Sequence, residues 1–237
     1  MVKTLFKKNK EQTIAIILAR GGSKGIKNKN IIKINGRPLI YWSIKSCLKS
    51  KKIQSVWVSS DSRKILSLSK KYGANTVTRP KTISGSLSTS ESAWIHALKY
   101  INSKIRDIDA VVGIQPTSPI RPSKLIDHAI NKFYKKKFDS LFTSQKTNHH
   151  PFLWTKRGGK FIANYSLNKR PMRQQIKNKY FENGSFYIFN ASKFLKRKCR
   201  LFGKIGTYEM SKICSFQIDG KEDLKIINSL QKDLKHI

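Results

Sequence analysis

The chain has 237 residues, 38% hydrophobic and 10% aromatic, enough for one buried core and too apolar for wholesale disorder. Lys and Arg number 49 against 13 Asp and Glu, a formal net charge of +36, which points to polyanions, anionic lipids or acidic small molecules as partners. Only 11 of those 49 cations are Arg, and the Lys are spread along the whole length. With no arginine-and-aromatic cluster, they read as solvated faces rather than a specific nucleic-acid surface. The carboxylate shortage is the tighter constraint, because a metal or acid–base group built on carboxylates must come from those 13 residues. Three cysteines without C-x-x-C spacing point to a reducing compartment. There is no apolar leader and no run of about 20 apolar residues, so a soluble cytoplasmic protein is expected.

Along the chain, residues 13–19 (TIAIILA) form a continuous apolar run followed at once by glycine and cations, the pattern of a buried parallel strand ending in a loop. Residues 38–48 have helical spacing behind Pro38. A second strand is expected at 55–58, tipped by Ser59-Ser60-Asp61, then a helix over 62–72 stopped by Gly73. A short strand at 75–77, a serine-rich loop at 84–90, a helix carrying Trp94, Ile95, Leu98 and Ile101, and a fourth apolar run at 109–114 follow. Strands alternating with helices predict an α/β domain with a mostly parallel, Rossmann-like sheet. Ligands of such sheets lie beyond the carboxyl ends of the strands. Four polar clusters should therefore share one rim: residues 20–25, 59–61, 79–80 and 115–119. From 148 to 182 aromatics, glycines and cations alternate without period, which reads as a hairpin-like insertion at a subunit interface or as a solvated surface arm. Strands are expected at 185–189 and 213–218, and a closing helix at 222–234. The 237 residues read as one domain.

The loop Arg20-Gly21-Gly22-Ser23-Lys24-Gly25 can fold tightly and aim backbone N–H groups at an anion. It is neither a Walker A sequence nor a G-x-G-x-x-G fingerprint. From this loop onward, ordered blocks of sequence resemble the CMP-sialic acid synthetases, the acylneuraminate cytidylyltransferases. These blocks are LARGGSKGIKNKN at 18–30, VSSD at 58–61, Arg79-Pro80, IQPTSPIR at 114–121, MRQQ at 172–175, ENGSFYIF at 182–189 and SFQID at 215–219. The resemblance implies a fold of the nucleotide-diphospho-sugar transferase type. It implies a reaction in which the anomeric hydroxyl of an acidic nonulosonic sugar attacks the α-phosphate of CTP and releases pyrophosphate. It also implies Mg2+ and a homodimer contacted through the inserted arm.

Carried over residue by residue, the resemblance assigns Arg20, Gly22, Ser23, Lys24, Lys29 and Asn30 to the CTP loop, with Arg20 and Lys24 facing the triphosphate. Arg79 and Ser90 fall on the cytidine side, and Gln115, Arg173, Asn183 and Tyr187 on the sugar side. Arg173 has the forked donors that suit a carboxylate. Asn183-Gly184 also reads as a plain turn, and Tyr187 as a half-buried strand aromatic. Asp219 is the implied metal ligand, together with Arg20 and Lys24 as the catalytic group. Four positions depart from the family pattern. Gln217 stands where the first of two metal-binding aspartates is usual, Ser86 replaces an Asp, Lys27 a proline, and Leu153 a sugar-binding Lys. Asp223 reads as a helix N-terminal partner rather than a ligand. The alternatives are a non-catalytic nucleotide-binding relative with a weakened metal site, and a cytidylyltransferase for the eight-carbon acid Kdo.

Overall fold

A computed structural model of the protein describes residues 11–23, 25–147, 153–170, 172, 175 and 179–230. Strand β1 (Thr13–Leu18) buries Ile14 and Ile16 on one face and Ala15 and Ile17 on the other, in separate hydrophobic clusters. Both faces are covered by other elements, which is why the run is apolar throughout instead of alternating. A small ladder, β2 (Lys33–Ile34) with β3 (Arg37–Pro38), turns through Asn35 and Gly36, both at positive φ. Asn-Gly is the pair that tolerates such a hairpin turn. Helix α1 (Leu39–Leu48) starts directly behind Pro38. Next come β4 (Ser55–Ser60) and α2 (Arg63–Lys71), whose first turn is capped by the Ser62 hydroxyl accepting from the Ile65 N–H. Strand β5 (Asn75–Thr78) and α3 (Ser90–Asn102) follow, the latter capped by Thr89. Then come β6 (Ala110–Ile114) and α4 (Ser123–Lys135). Strands β6, β1, β4 and β5 are mutually parallel neighbours.

The second half completes the same sheet. Strand β7 (Ser140–Thr147) is followed by a separate hairpin of β8 (Trp154–Arg157) and β9 (Lys160–Ala163). That hairpin turns through Gly158 and Gly159, both at positive φ. Then come β10 (Lys179–Asn190), α5 (Ala191–Arg197), β11 (Ile205–Glu209) and α6 (Lys221–Ser229). The order across the sheet is β11-β7-β10-β6-β1-β4-β5. Only β10 runs against its neighbours, so the sheet is mostly parallel, as expected. Between Glu182 and Tyr187 the pairing of β10 with β7 slips at a bulge, where Gly184 has φ +62.

One expectation is corrected. The stretch 213–218 is no strand: it makes a turn and then an extended segment tied by the Ile218 N–H to the Thr117 carbonyl at 2.9 Å. Its apolar residues look strand-like because Cys214 and Ile218 pack into the core from an irregular path. The outer strand is β11 instead, and β7 and α5, which the residue pattern did not announce, join it. The last expected helix is described as α6 to Ser229, and residues 231–234 lie outside the described residues. The aperiodic insertion contains a hairpin, and Leu153, Trp154, Phe161 and Ile162 on it are exposed.

Trp94 on α3 is fully buried, and its indole lies against Gly113 of β6; a Cβ built at Gly113 falls 2.7 Å from the ring. Glycine is required here by close approach and not by φ. Gly113→Ala should cost about 1–3 kcal/mol through overpacking, read as a lower denaturant midpoint at unchanged slope.

Candidate functional site

A cavity of about 540 Å3 opens at the carboxyl ends of the parallel strands. It is lined by Arg20, Ser23, Gly25, Lys29 and Asn30 after β1, by Arg79 after β5, and by Gln115, Pro116 and Thr117 after β6. The serine-rich loop (Ile83, Ser84, Gly85, Ser86, Ser88, Thr89) and Ser90 form one wall, and Asp219 reaches in from the segment before α6. Three of the four expected rim clusters thus line one space. The fourth acts from behind: the Asp61 carboxylate accepts the Gly21 N–H at 2.8 Å and pins the glycine loop.

Cations dominate the lining. Arg20 donates to the Gly85 carbonyl at 3.0 Å, tethering the serine loop, while its own carbonyl accepts from the Asn30 amide at 2.9 Å. Asn30 therefore shapes the loop from within. Arg79 is 6% exposed, and its Nε is buried without a hydrogen-bond partner. Burial pulls its guanidinium below the ordinary value, Asp61 offsets part of this, and Arg20 adds to it. A buried guanidinium with an unused donor at a cavity wall is costly unless a ligand satisfies it. Thr117 Oγ1 is a second buried, unpartnered atom on the same wall.

Lys29 Nζ donates to the Ile218 carbonyl at 2.9 Å and to Asp219 Oδ1 at 3.0 Å. The lysine side chain is 14% exposed and the aspartate 71%, so the pair holds the last loop in place while leaving the carboxylate on the cavity side. Asp223 caps α6, its Oδ2 accepting from the Asp219 and Gly220 N–H groups at 2.8 and 2.7 Å, as its helix-terminal reading required.

Magnesium prefers hard oxygen ligands and often takes one or two carboxylates plus substrate phosphates and water. Among the described residues no group of three or more His, Cys, Asp or Glu could form a cage. The Gln217 amide is turned into the fold, donating from Nε2 to the Asn183 carbonyl. Asp219 alone fits an ion that arrives on a polyphosphate, and a metal site built wholly by the protein does not fit.

Not every expected residue meets the cavity. Asn183 is fully buried: its Oδ1 accepts from Thr143 Oγ1 at 2.6 Å and from the Ser185 N–H at 3.1 Å, and its Nδ2 donates to Ser215 at 2.9 Å. That side chain binds β10, β7 and the 211–219 segment to one another. Tyr187 is 3% exposed and donates to Glu182 Oε1 at 2.5 Å. A Cβ built at Gly184 would meet Gln217 Nε2 at 3.0 Å, Gln115 Oε1 at 3.6 Å and Tyr187 Oη at 3.9 Å. These three polar groups surround the β10 bulge at the Gln115 side of the cavity. Gly22 lies in the loop after β1 with nothing within 4 Å of its built Cβ. Lys24 and Arg173 lie outside the described residues.

One residue of the 114–121 block was given no role from sequence. Arg121 is fully buried and donates to Ser185 Oγ at 2.9 Å, the Ser185 carbonyl at 3.0 Å, the Gln115 carbonyl at 2.9 Å and Ser43 Oγ at 3.3 Å. Burial pulls its guanidinium down to about 10. Its position six residues after Gln115 was visible, but nothing in one sequence distinguishes a buried arginine from an exposed one.

Gly25 is needed by the site for a spatial reason, since a Cβ there would fall well inside contact distance of the Asp219 carbonyl oxygen. Gly25→Ala should force the first and last loops apart. Affinity of the cavity for inorganic triphosphate should fall about tenfold, equivalent to roughly 1.4 kcal/mol, as measured by calorimetry.

With this geometry in place, comparisons with known proteins can be read. Residues 14–236 match the family described as Cytidylyltransferase. The chain is 35% identical over 210 residues to N-acylneuraminate cytidylyltransferase A of Danio rerio, covering 86% of this chain and 47% of that protein. It is 36% identical over 214 residues to N-acylneuraminate cytidylyltransferase of Oncorhynchus mykiss, covering 89% and 48%. The chain thus spans about half the length of these relatives. Post-translational flagellin modification protein B of Campylobacter coli is 30% identical over 230 residues, covering 94% of this chain and 96% of that one. Among solved structures, a CMP:2-keto-3-deoxy-manno-octonic acid synthetase complexed with CTP superposes with a TM-score of 0.67 at 13% identity, covering 93% of this chain and 98% of that chain. A 4-diphosphocytidyl-2C-methyl-D-erythritol synthase from Anaerococcus prevotii superposes with a TM-score of 0.66 at 15% identity, covering 94% and 96%. At such identities the structures speak for the fold alone. By the match over residues 14–236, the chain belongs to the cytidylyltransferase family, and it is similar to N-acylneuraminate cytidylyltransferases over the part it shares with them.

Proposed function

We infer that the protein transfers CMP from CTP to the anomeric hydroxyl of an acidic nonulosonic sugar, giving CMP-sugar and pyrophosphate. The observation that carries this reading is the cavity in which Arg20, Lys29 and the unsatisfied guanidinium of Arg79 converge at the strand ends. Charge builds on the leaving pyrophosphate in the transition state, and oriented cations in a partly desolvated site stabilise it there. In this reading Arg20 and Lys29, with Lys24, serve the phosphates, Arg79 and Ser90 the cytidine, and Gln115 and Arg173 the sugar, with Tyr187 buried at the bulge beside Gln115. Asn183 serves that side indirectly, by holding the bulge that presents Tyr187. Asp219 would hold a magnesium ion, whose chemistry when bound is to neutralise phosphate charge. The three cysteines are unpaired, in keeping with a cytoplasmic setting. Among the described residues no helix is long and apolar enough to cross a membrane.

Incubating the purified protein with CTP, Mg2+ and a panel of nonulosonic acids should release pyrophosphate and yield a CMP-sugar of the expected mass. No release with any acid, while CTP still binds, overturns the reading. A second reading, nucleotide binding with little turnover, is favoured by one observation: the Gln217 amide is committed to the fold, leaving Asp219 as the single carboxylate lining the cavity among the described residues. Gln217→Asp should then lower the Mg2+ concentration for half-maximal activity several-fold. An unchanged Mg2+ response places residue 217 away from the ion.

The reading includes a homodimer. Trp154 and Phe161 are 48% and 64% exposed on the β8–β9 hairpin, and Leu167 beyond it is 65% exposed. Aromatic and aliphatic groups concentrated on one protruding hairpin are more apolar than a solvated arm requires. Light scattering should give twice the 27.2 kDa chain mass, and Phe161→Ser with Ile162→Ser should shift the protein toward monomer without lowering its unfolding midpoint at high dilution.

A further inference from the structure

A cluster outside the cavity lining spans its two sides. Arg200, in the loop after α5, donates from Nε to Glu91 Oε1 at 2.6 Å and from Nη2 to Glu91 Oε2 at 2.9 Å, a forked pair. Both side chains are largely shielded, 22% and 19% exposed. Its guanidinium lies 5.1 Å from the Trp94 ring and 4.9 Å from the Tyr187 ring, within cation–π range of both. The two rings meet edge to face at 5.9 Å. Glu91 follows Ser90, the residue that opens α3 and lines the cavity. Tyr187 in turn donates its proton to Glu182, and its oxygen lies at the Gly184 bulge, where Gln115 Oε1 also lies.

The arrangement has a charge logic. In a chain with 13 carboxylates and 49 cations, two carboxylates are committed within one residue's reach of Tyr187. Burial pushes Glu91 up, but the bonds from Arg200 outweigh it and hold the carboxyl below its usual range. The pair therefore stays ionised at neutral pH, and its forked geometry fixes direction as well as distance.

We propose that Arg200 and Glu91 are positioning residues: they lock the Tyr187 ring at the sugar side and tie it to the start of α3 at the nucleotide side, so that the two substrates meet in register. The proposal rests on the cytidylyltransferase reading above, because it needs the sugar to bind at the Gln115 side, which the buried Tyr187 ring backs. Neither residue touches the cavity itself. A group held by another residue affects rate through placement, and small displacements of a positioning contact cost large factors.

The test separates placement from stability. Arg200→Met keeps most of the stacking length and removes the fork, Arg200→Lys keeps the charge without the fork, and Glu91→Gln leaves the guanidinium with one good acceptor. KM for the sugar acid should rise about tenfold in Arg200→Met and by an intermediate factor in Arg200→Lys and Glu91→Gln, while the CTP dissociation constant without sugar stays within about twofold. An unchanged sugar KM with a lower unfolding midpoint, or an equal loss for both substrates, overturns the proposal. If Arg200→Met does not fold, Glu91→Gln decides by the same criteria. Calorimetry of the sugar acid against CTP-loaded protein runs alongside. Sugar binding without turnover in the unmodified chain sinks the enzymatic reading alone, and the variants are then scored on that binding. Neither binding nor turnover overturns both.

Discussion

The arrangement of this site depends on one buried cation. Arg121 has no exposed surface, and its hydrogen bonds go to hydroxyls and carbonyls on three separate elements: Ser43 on α1, Gln115 after β6 and Ser185 on β10. The Ser46 hydroxyl also holds the Arg121 carbonyl. Burying a guanidinium is unfavourable unless nearly every donor is satisfied, so the three elements can hold only the relative placement that supplies those acceptors. That placement sets where Gln115 opens into the cavity and where the β10 bulge begins. The antiparallel strand β10, the exception in an otherwise parallel sheet, is joined to the parallel half through this group as well as through its ladder.

Around that fixed frame the cavity is assembled from loops that brace one another. Asp61 holds the glycine loop, Arg20 holds the serine loop, and Lys29 holds the final loop through Asp219. Each tether pairs a charged side chain with a backbone group or with the opposite charge, and those made by Arg20 and by Lys29 with Asp219 leave a charged edge toward the cavity. Arg79 differs, since it is buried with an unused Nε. The site is thus stiff on three sides and electrostatically unfinished on one, which is how a protein holds affinity in reserve for an anionic ligand.

The net charge of +36 divides along the same line. A handful of cations face the cavity or lock its walls, and Arg121 and Arg200 act as structural forks. The remaining Lys among the described residues are mostly exposed, where a Debye length of roughly 10 Å screens much of their longer-range repulsion. The scarce carboxylates are the more telling residues: Asp61, Glu91, Asp219 and Asp223 each hold a loop or helix start at the site.

The sequence alone determined the centre of the parallel sheet, because β1, β4 and β6 are buried and so carry continuous apolar runs followed by glycine, proline or serine. It also indicated which loops line the cavity, since strand ends in such sheets lie on one rim. It misassigned 213–218, whose apolar residues pack from an irregular segment, and it did not announce β7 or β11. Those strands are half-polar, and partners distant in the chain decide their pairing. Only the tertiary structure decided which polar residues point where. Asn183 proved to be a knot within the fold and Arg121 a buried brace, while Glu91 and Arg200, 109 positions apart, form one clamp. Side-chain direction and burial arise from contacts between distant segments, and no local pattern in a single chain encodes them.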